Sequence, residues 1–197
     1  GKIGASGVQV EPDAVADGRV VARFVAPSPA DQKTPDATGK LPLVHDFTWT
    51  ADPKYVKRDF RFQWSDWSAR YADEVDEVAL ALGRSKDEIR LRDVDVTVLL
   101  QPEHADQDRR HLEATSTSLF FYGLWFGGYP YEHITCVDPA WGGGAAGGME
   151  YPTLFTAGTR MNTFERMQSP ESVTVHECGH QFWYGLVANN EFEEAWL

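Results

Sequence analysis

The sequence predicts an α+β protein, because strand-like and helix-like hydrophobic patterns occupy different parts of the chain. Short runs rich in β-branched and aromatic residues dominate residues 1–65. From residue 66 onward, apolar residues recur at the three- and four-residue spacing of an amphipathic helix. A clear strand pattern at Val94–Leu100, followed by a long helical stretch, then opens a second unit.

The N-terminal part is expected to be rich in β-structure. Two strand-like runs, Gly18–Val25 and Leu43–Thr50, are separated by a segment rich in Pro, Asp, Lys and Thr. The segment Tyr55–Trp64 alternates apolar and charged residues, as a half-buried strand does. These patterns predict three strands before residue 66.

Residues 66–89 are expected to form a helical bridge between the two parts. Its apolar positions follow helical spacing: Tyr71, Val75, Val78, Ala79 and Leu82. Gly83 is expected to end this helix. Ser85 followed by Glu88 is the pattern of a capping box, which predicts a further short turn.

The second unit, residues 90–197, is expected to alternate strands and helices. In chain order these are strand Val94–Leu100, helix 105–126, strand Ile134–Val137, a glycine-rich loop at 141–148, strand Thr153–Thr156 and helix 171–187. Gly127-Gly128 and Pro130 end the first helix, and Ser169-Pro170 precedes the second.

Size and charge narrow the class of protein. The 197 residues suffice for one domain, or for a small domain with part of another. The net charge of −12 repels phosphate backbones, so nucleic acid is not an expected partner. The longest apolar run, Leu119–Phe126, is much shorter than the roughly 18 residues of a membrane helix. The two cysteines, Cys136 and Cys178, are too few for a disulfide-rich scaffold and are expected to be buried. No pattern indicates a cellular location.

The segment His176-Glu177-Cys178-Gly179-His180 has the H-E-x-x-H pattern of a zinc site. Residues four apart share one face of a helix, so both imidazoles can reach one ion. Glu177 lies beside the first ligand, where its carboxylate can accept a proton from water. The alternative is a pair of helix histidines that bond to carbonyls or carboxylates.

The glycine-rich loop before this helix does not have the pattern of a phosphate site. Gly142–Gly148 lacks the following Lys-Ser/Thr of a P-loop and has no dinucleotide-binding fingerprint. Glycines also allow close backbone approach, which suits a strand edge that accepts an extended peptide. Glu150 follows as an acid in an uncharged stretch, and a lone loop carboxylate of this kind is usually a solvated surface group.

Two motifs together resemble a known family. Gly147-Gly148-Met149-Glu150-Tyr151 (GGMEY) lies 25 residues before HECGH. This pairing resembles the aminopeptidase-N-type zinc metallopeptidases, which combine Gly-x-Met-Glu-Asn with H-E-x-x-H. Three further segments are similar to family landmarks: VHDFTW at 44–49, GGYPY at 127–131 and VDP at 137–139. The resemblance spans residues 44–197.

The resemblance implies a role for each matched residue. His176 and His180 would bind one zinc ion, and Glu177 would be the general base. Glu150 would bind the α-ammonium group of a peptide, while the backbone of Gly147 and Gly148 would hold its main chain. Tyr151 stands where the commonest family motif has Asn; because this change leaves Glu150 intact, it is expected to bear on substrate selection more than on activity.

The same resemblance implies a domain arrangement. Residues 1–65 would be the end of a β-rich N-terminal domain, and residues 66–89 the helical bridge. Residues 90–197 would form the first half of a thermolysin-like catalytic domain.

The resemblance also places a third zinc ligand beyond the chain. The family uses a Glu nineteen residues after the second histidine, which falls two residues after Leu197, and its catalytic Tyr lies further on. Three acids near the end are either substitute ligands or an acidic helix start: Glu191, Glu193 and Glu194. This chain is therefore expected to be an inactive fragment that self-associates through exposed Phe182, Trp183 and Trp196.

The expected function is hydrolysis of the N-terminal residue from peptides, with zinc as cofactor and peptides with a free N-terminus as partners. One alternative is an endopeptidase of thermolysin type, which needs no anchor for an amino terminus. The other is a non-catalytic interaction domain.

Overall fold

The computed structural model describes residues 1–25, 46–143, 146–159, 169–184, 186–187, 190 and 193–194. Within these ranges the chain forms nine strands and four α-helices, which confirms the α+β class. The first strands are β1 Lys2–Ala5, β2 Val8–Ala16, β3 Arg19–Val25, β4 Trp49–Asp52 and β5 Val56–Phe62. The later strands are β6 Val94–Leu100, β7 His133–Val137, β8 Gly148–Tyr151 and β9 Leu154–Ala157. The helices are α1 Trp64–Arg70, α2 Ala72–Leu82, α3 Asp108–Phe126 and α4 Glu171–Gly179.

The first four strands form two small antiparallel pairs. Strand β1 pairs with β4, and β2 pairs with β3 across a tight turn at Asp17-Gly18. Both turn residues have positive φ, 51° and 73° respectively, as a two-residue hairpin turn requires. The strand expected at Gly18–Val25 is confirmed as β3. For the run expected at Leu43–Thr50, residues 43–45 lie outside the described ranges, and the strand found here is β4.

A five-stranded sheet positions the rest of the chain. Its order is β5-β6-β7-β9-β8; β6, β7 and β9 are parallel, and β5 and β8 are antiparallel to their neighbours. Strand β6 matches the predicted Val94–Leu100 to the residue. Strand β5 pairs with β6, so this sheet extends across the boundary expected after residue 65. Strand β8 lies at the edge, where the sequence predicted no strand; its first residue, Gly148, was the last residue of the expected glycine-rich loop.

The helical bridge follows its prediction closely. Trp64 begins α1 instead of ending strand β5. Helix α2 ends at Gly83, which adopts the left-handed conformation with φ 62°, as a C-terminal glycine commonly does. The Glu88 carboxylate accepts hydrogen bonds of 2.8 Å from both the N–H and the hydroxyl of Ser85, as the capping pattern predicted.

Helix α3 connects β6 to β7 and packs against the sheet. The helical stretch predicted from residue 105 begins instead as a 3₁₀ helix, Pro102–Gln107, before α3 starts. Leu119 and Phe120 of α3 are almost completely buried in one core with Val96 and Val98 of β6. Across the described ranges, no helix combines the length and apolar character needed to cross a bilayer, in agreement with the sequence.

Helix α4 is shorter than predicted. It ends at Gly179, whereas the hydrophobic pattern indicated a helix over 171–187. After Gly179 the chain tightens, because the N–H groups of Phe182 and Trp183 both donate to the Gly179 carbonyl. The described residues that directly follow α4, 180–184, form turns instead of further helix. Phe182, for example, is 4% exposed and contacts Tyr122 and Tyr129.

Candidate metal centre

Helix α4 is anchored at its start by Arg110 of α3. The Arg110 guanidinium donates to both carboxylate oxygens of Glu171, at 2.7 and 2.6 Å. It also donates to the Ser169 carbonyl at 2.9 Å. Paired hydrogen bonds between a guanidinium and a carboxylate fix orientation as well as distance. The first turn of α4 is therefore held in a defined direction against α3.

The Nε2 atoms of the two histidines of the motif face each other. His176 is the sixth residue of α4, and His180 is its C-cap. The N–H of His180 still bonds to the His176 carbonyl at 3.2 Å, so the helical turn between them is preserved. Their Nε2 atoms are 3.1 Å apart. The early end of the helix thus leaves the predicted pair intact.

This pair fits a zinc ion. Two nitrogens bound at about 2.0–2.1 Å to a tetrahedral ion lie about 3.3 Å apart, close to the observed separation. The Nδ1 atom of His180 lies 3.2 Å from the Trp183 carbonyl, which can only accept a hydrogen bond. Nδ1 therefore carries the proton, and Nε2 presents its lone pair toward His176. Such a backbone partner for the second ring nitrogen is typical of metal-binding histidines.

Strand β8 faces this pair across a very short gap. Side chains alternate along a strand, so residues 148 and 150 point to the same face. A methyl group at Gly148 would lie 2.6 Å from Glu177 Oε1 and 3.3 Å from Val173 Cγ2. The absence of a side chain at residue 148 therefore allows α4 to pack against β8, and Glu150 extends from the same face.

The carboxylate of Glu177 is buried beside the histidines. Glu177 is 5% exposed, and its Oε2 has no hydrogen-bond partner among the described residues. Burial, with the nearby Glu150 carboxylate, raises the pKa of Glu177 to about 7, while His180 opposes the rise. A buried carboxylate without a partner is costly in a folded protein unless a ligand or water completes it. An ion held by the histidines would supply the missing positive charge.

The structure brings together most of the residues singled out from the sequence. Glu150, Glu177 and His180 each place a possible ligand atom within 4.8 Å of the others. His176 joins this group through His180. Glu193 and Glu194 are exposed and do not belong to it, and Glu191 lies outside the described ranges.

The glycines before Glu150 are placed differently from one another. The Gly147 carbonyl accepts a 2.7 Å hydrogen bond from the N–H of Gly158, so it is already engaged by the chain. Gly148 pairs with Ala157 as the first residue of β8. Only part of the backbone that the resemblance assigns to substrate is therefore available for that role.

A cavity of about 630 Å³ borders the site at Gly147 and Val173. Its lining includes Asp138, a carboxylate that is 1% exposed. Asp138 accepts hydrogen bonds from the backbone N–H groups of Gln101 and Thr159, and its Oδ2 lies 2.7 Å from His104 Nδ1. These contacts join the ends of β6, β7 and β9. The sequence offered only the VDP segment as a signal for this cluster.

Of the other predictions near the site, burial of the two cysteines is confirmed and exposure of Phe182 is not. Cys136 and Cys178 are completely buried, as expected, and burial raises the pKa of Cys178 to about 12. The prediction of an exposed Phe182 is wrong, because it packs in the aromatic core. Trp183 is half-buried, and Trp196 lies outside the described ranges. Self-association of the chain stays a prediction.

Comparison with known proteins gave no match that bears on the family resemblance described above. No protein-family model matches the chain, and no curated protein matches it either.

Proposed function

We propose that this chain carries the metal-binding part of a zinc-dependent aminopeptidase. The proposal depends on one observation, the convergence of α4 and β8 at a point where two histidine nitrogens lie 3.1 Å apart beside two carboxylates. A zinc ion bound there supplies Lewis acidity, which polarises a carbonyl and lowers the pKa of water. His176 and His180 hold the ion, and zinc is the cofactor that their geometry favours.

Glu177 is the proposed general base. Its carboxylate accepts a proton from the attacking water and then donates it to the leaving amine. The observation in favour of this role is its burial next to the histidines, with an oxygen that has no partner among the described residues. A pKa raised to about 7 suits proton transfer in both directions near neutral pH, and a bound cation would lower that value.

Glu150 is the proposed anchor for the amino terminus of the substrate. In an N-terminal residue, the α-nitrogen lies about 3 Å from the carbonyl oxygen of the same residue. An anchor for that nitrogen must therefore lie within a few ångströms of the metal. Glu150 meets this requirement, since its carboxylate lies within 4.8 Å of His180 and Glu177. This proximity favours removal of single N-terminal residues over cleavage inside a chain.

Strand β8 is the proposed docking edge for the substrate backbone. It is the terminal strand of the five-stranded sheet, and extended peptides commonly add to such an edge. The cavity beside Gly147 leaves room for a substrate side chain. Peptides with a free N-terminus are therefore the proposed substrates.

The first experiment measures zinc and hydrolysis in the protein as its gene encodes it. We expect one zinc per chain by elemental analysis, and hydrolysis of aminoacyl-anilides but not of their N-acetyl forms. His180→Ala should lose the zinc, whereas Glu193→Gln, a matched change at an exposed acid outside the group, should not. Equal hydrolysis of free and acetylated substrates would favour an endopeptidase. Absence of zinc would favour an interaction domain.

The second experiment measures zinc and turnover in the 197-residue chain expressed by itself. We expect this chain to hold zinc weakly and to show no turnover, because a catalytic zinc site needs three protein ligands and the histidine pair supplies two. Stoichiometric zinc with turnover in this chain would overturn this expectation. It would point to Glu150 as a ligand, since Glu150 already lies within reach of His180.

A further inference from the structure

Gln181 connects the two elements that form the candidate site. It directly follows His180 and is 2% exposed. Its Oε1 accepts a 2.8 Å hydrogen bond from the N–H of Thr153. Its Nε2 donates a 2.9 Å hydrogen bond to the carbonyl of Tyr151. One buried amide thus satisfies two backbone groups of the turn that joins β8 to β9.

The turn that Gln181 holds has an unfavourable backbone conformation. Thr153 has φ 63°, which β-branched residues rarely adopt. Thr153 is 1% exposed, and its hydroxyl accepts a 2.8 Å hydrogen bond from the N–H of Gly7. Its carbonyl accepts a further bond from the N–H of Thr135. A strained residue of this kind persists only where surrounding contacts enforce it.

The hydrogen bonds of Gln181 lie next to the residues of the candidate site. Tyr151 follows Glu150 in the chain, and Gln181 follows His180. The amide therefore joins β8 and the end of α4 one residue away from each of the two groups that must face one another. A shift of this turn would move Glu150 relative to His180 while leaving the His176–His180 pair, which lies within one helical turn, unaffected.

Building on the proposed function, we propose that Gln181 is a positioning residue, which sets the distance between the Glu150 carboxylate and the metal and thereby the recognition of the substrate amino group. It does not touch the substrate. Its two hydrogen bonds fix the turn after β8, and the turn fixes the direction of Glu150. Loss of these bonds should weaken binding of the amino group more than binding of the metal.

The test uses two variants with different losses. Gln181→Met keeps the length of the side chain but removes both hydrogen bonds. Gln181→Glu keeps an acceptor for the Thr153 N–H but removes the donor to Tyr151. Gln101→Met is the matched control, because Gln101 is also buried, at 5% exposed, and lies outside the candidate site. All are made in the protein as its gene encodes it.

The probes are an amino-acid hydroxamate and its N-acetyl form, whose affinities are measured by calorimetry. The wild-type protein should bind the free amine more tightly. In Gln181→Met this preference should fall roughly tenfold or more, because displacement of a binding group by about 1 Å has effects of this size or larger. Affinity for the N-acetyl form and zinc content should not change, and Gln101→Met should keep the preference.

Hydrogen exchange gives a readout independent of ligands. The Thr153 amide should exchange faster in Gln181→Met than in the wild type, but should stay protected in Gln181→Glu. If Gln181→Met does not fold, Gln181→Glu still tests the proposal. That variant should lose part of the preference for the free amine, because its hydrogen bond to Tyr151 is broken.

Four outcomes would overturn the inference about Gln181 alone. They are an unchanged preference in both variants, an equal loss for both hydroxamates, a loss of zinc in Gln181→Met, or an unprotected Thr153 amide in the wild type. The second and third would reduce Gln181 to a structural residue while the aminopeptidase proposal stands. A wild-type protein that binds both hydroxamates equally would overturn the proposed function and this inference together.

Discussion

The carboxylate of Glu177 lies directly against the backbone of Gly148, so that a methyl group at residue 148 would come within 2.6 Å of Oε1. The two residues are far apart in sequence, and this contact allows α4 to pack on the edge strand β8. The proposed base, the proposed amino-terminus anchor and the histidine pair meet because this position has no side chain.

Gly148→Ala should therefore impair catalysis. The added methyl group displaces the buried Glu177 carboxylate, and we expect kcat to fall about tenfold or more with zinc retained. Overpacking of this kind should cost about 1–3 kcal/mol of unfolding free energy. The matched control is Gly128→Ala, whose methyl group would lie 3.6 Å from Leu91, an ordinary contact. Equal kcat values for the two variants would contradict the prediction.

Glu177→Gln should keep zinc and lose turnover. The amide has the shape of the carboxylate but cannot accept the proton of water, and loss of general base catalysis costs about 10²–10⁴-fold. The measurements are kcat and zinc content, with Glu193→Gln as the control acid. Near-normal kcat with normal zinc content would remove Glu177 from the mechanism.

Glu150→Ala should weaken activity on peptides with a free N-terminus far more than on blocked ones. A lost charge-assisted hydrogen bond costs roughly 1.5–3 kcal/mol, or about 10–150-fold in kcat/KM. Zinc content should be unchanged. If the variant loses its zinc, Glu150 is a metal ligand; if both substrate classes lose activity equally, Glu150 is not the anchor.

Stability should fall in acid because of His111. The imidazole is completely buried, and burial lowers its pKa to about 4 from the usual 6.5. Its Nδ1 lies 3.1 Å from Thr174 Oγ1 and its Nε2 lies 2.7 Å from Thr159 Oγ1. Burial disfavours the charged ring, so the neutral ring is the form that the fold accommodates. Burial likewise lowers the pKa of His133 to about 4.

These lowered pKa values determine the direction in which stability changes with pH. Between pH 6.5 and 4 the unfolded chain binds protons that the folded chain does not, so stability present above pH 6.5 is lost as the pH falls. Each histidine should contribute a slope of up to about 1.4 kcal/mol per pH unit. Denaturant unfolding at several pH values measures the slope, which should be shallower in His111→Asn. An identical slope in that variant would contradict the assignment.

Local patterns predicted several elements well. Strand β6 matches its predicted bounds, and Gly83 ends α2 as expected, because strand alternation and a left-handed glycine are properties of a few consecutive residues. The predicted end of α4 was wrong for a tertiary reason. Its hydrophobic pattern continues past Gly179, but Phe182 reaches the aromatic core from a turn, and periodicity does not distinguish a turn from a helix there.

The histidine pair and Glu177 were accessible from the sequence because residues four apart on a helix are neighbours whatever the rest of the chain does. Glu150 was assigned to the site only through the family resemblance; local patterns could not place it, since its approach depends on β8 being the edge strand beside α4 and on the gap left by Gly148. Gln181 had no sequence signal beyond a polar residue in an apolar stretch. Its hydrogen-bond partners, Tyr151 and Thr153, lie about 30 residues away in the chain. Contacts at that separation are decided by the order of the strands and by packing, because local backbone geometry extends over only a few residues.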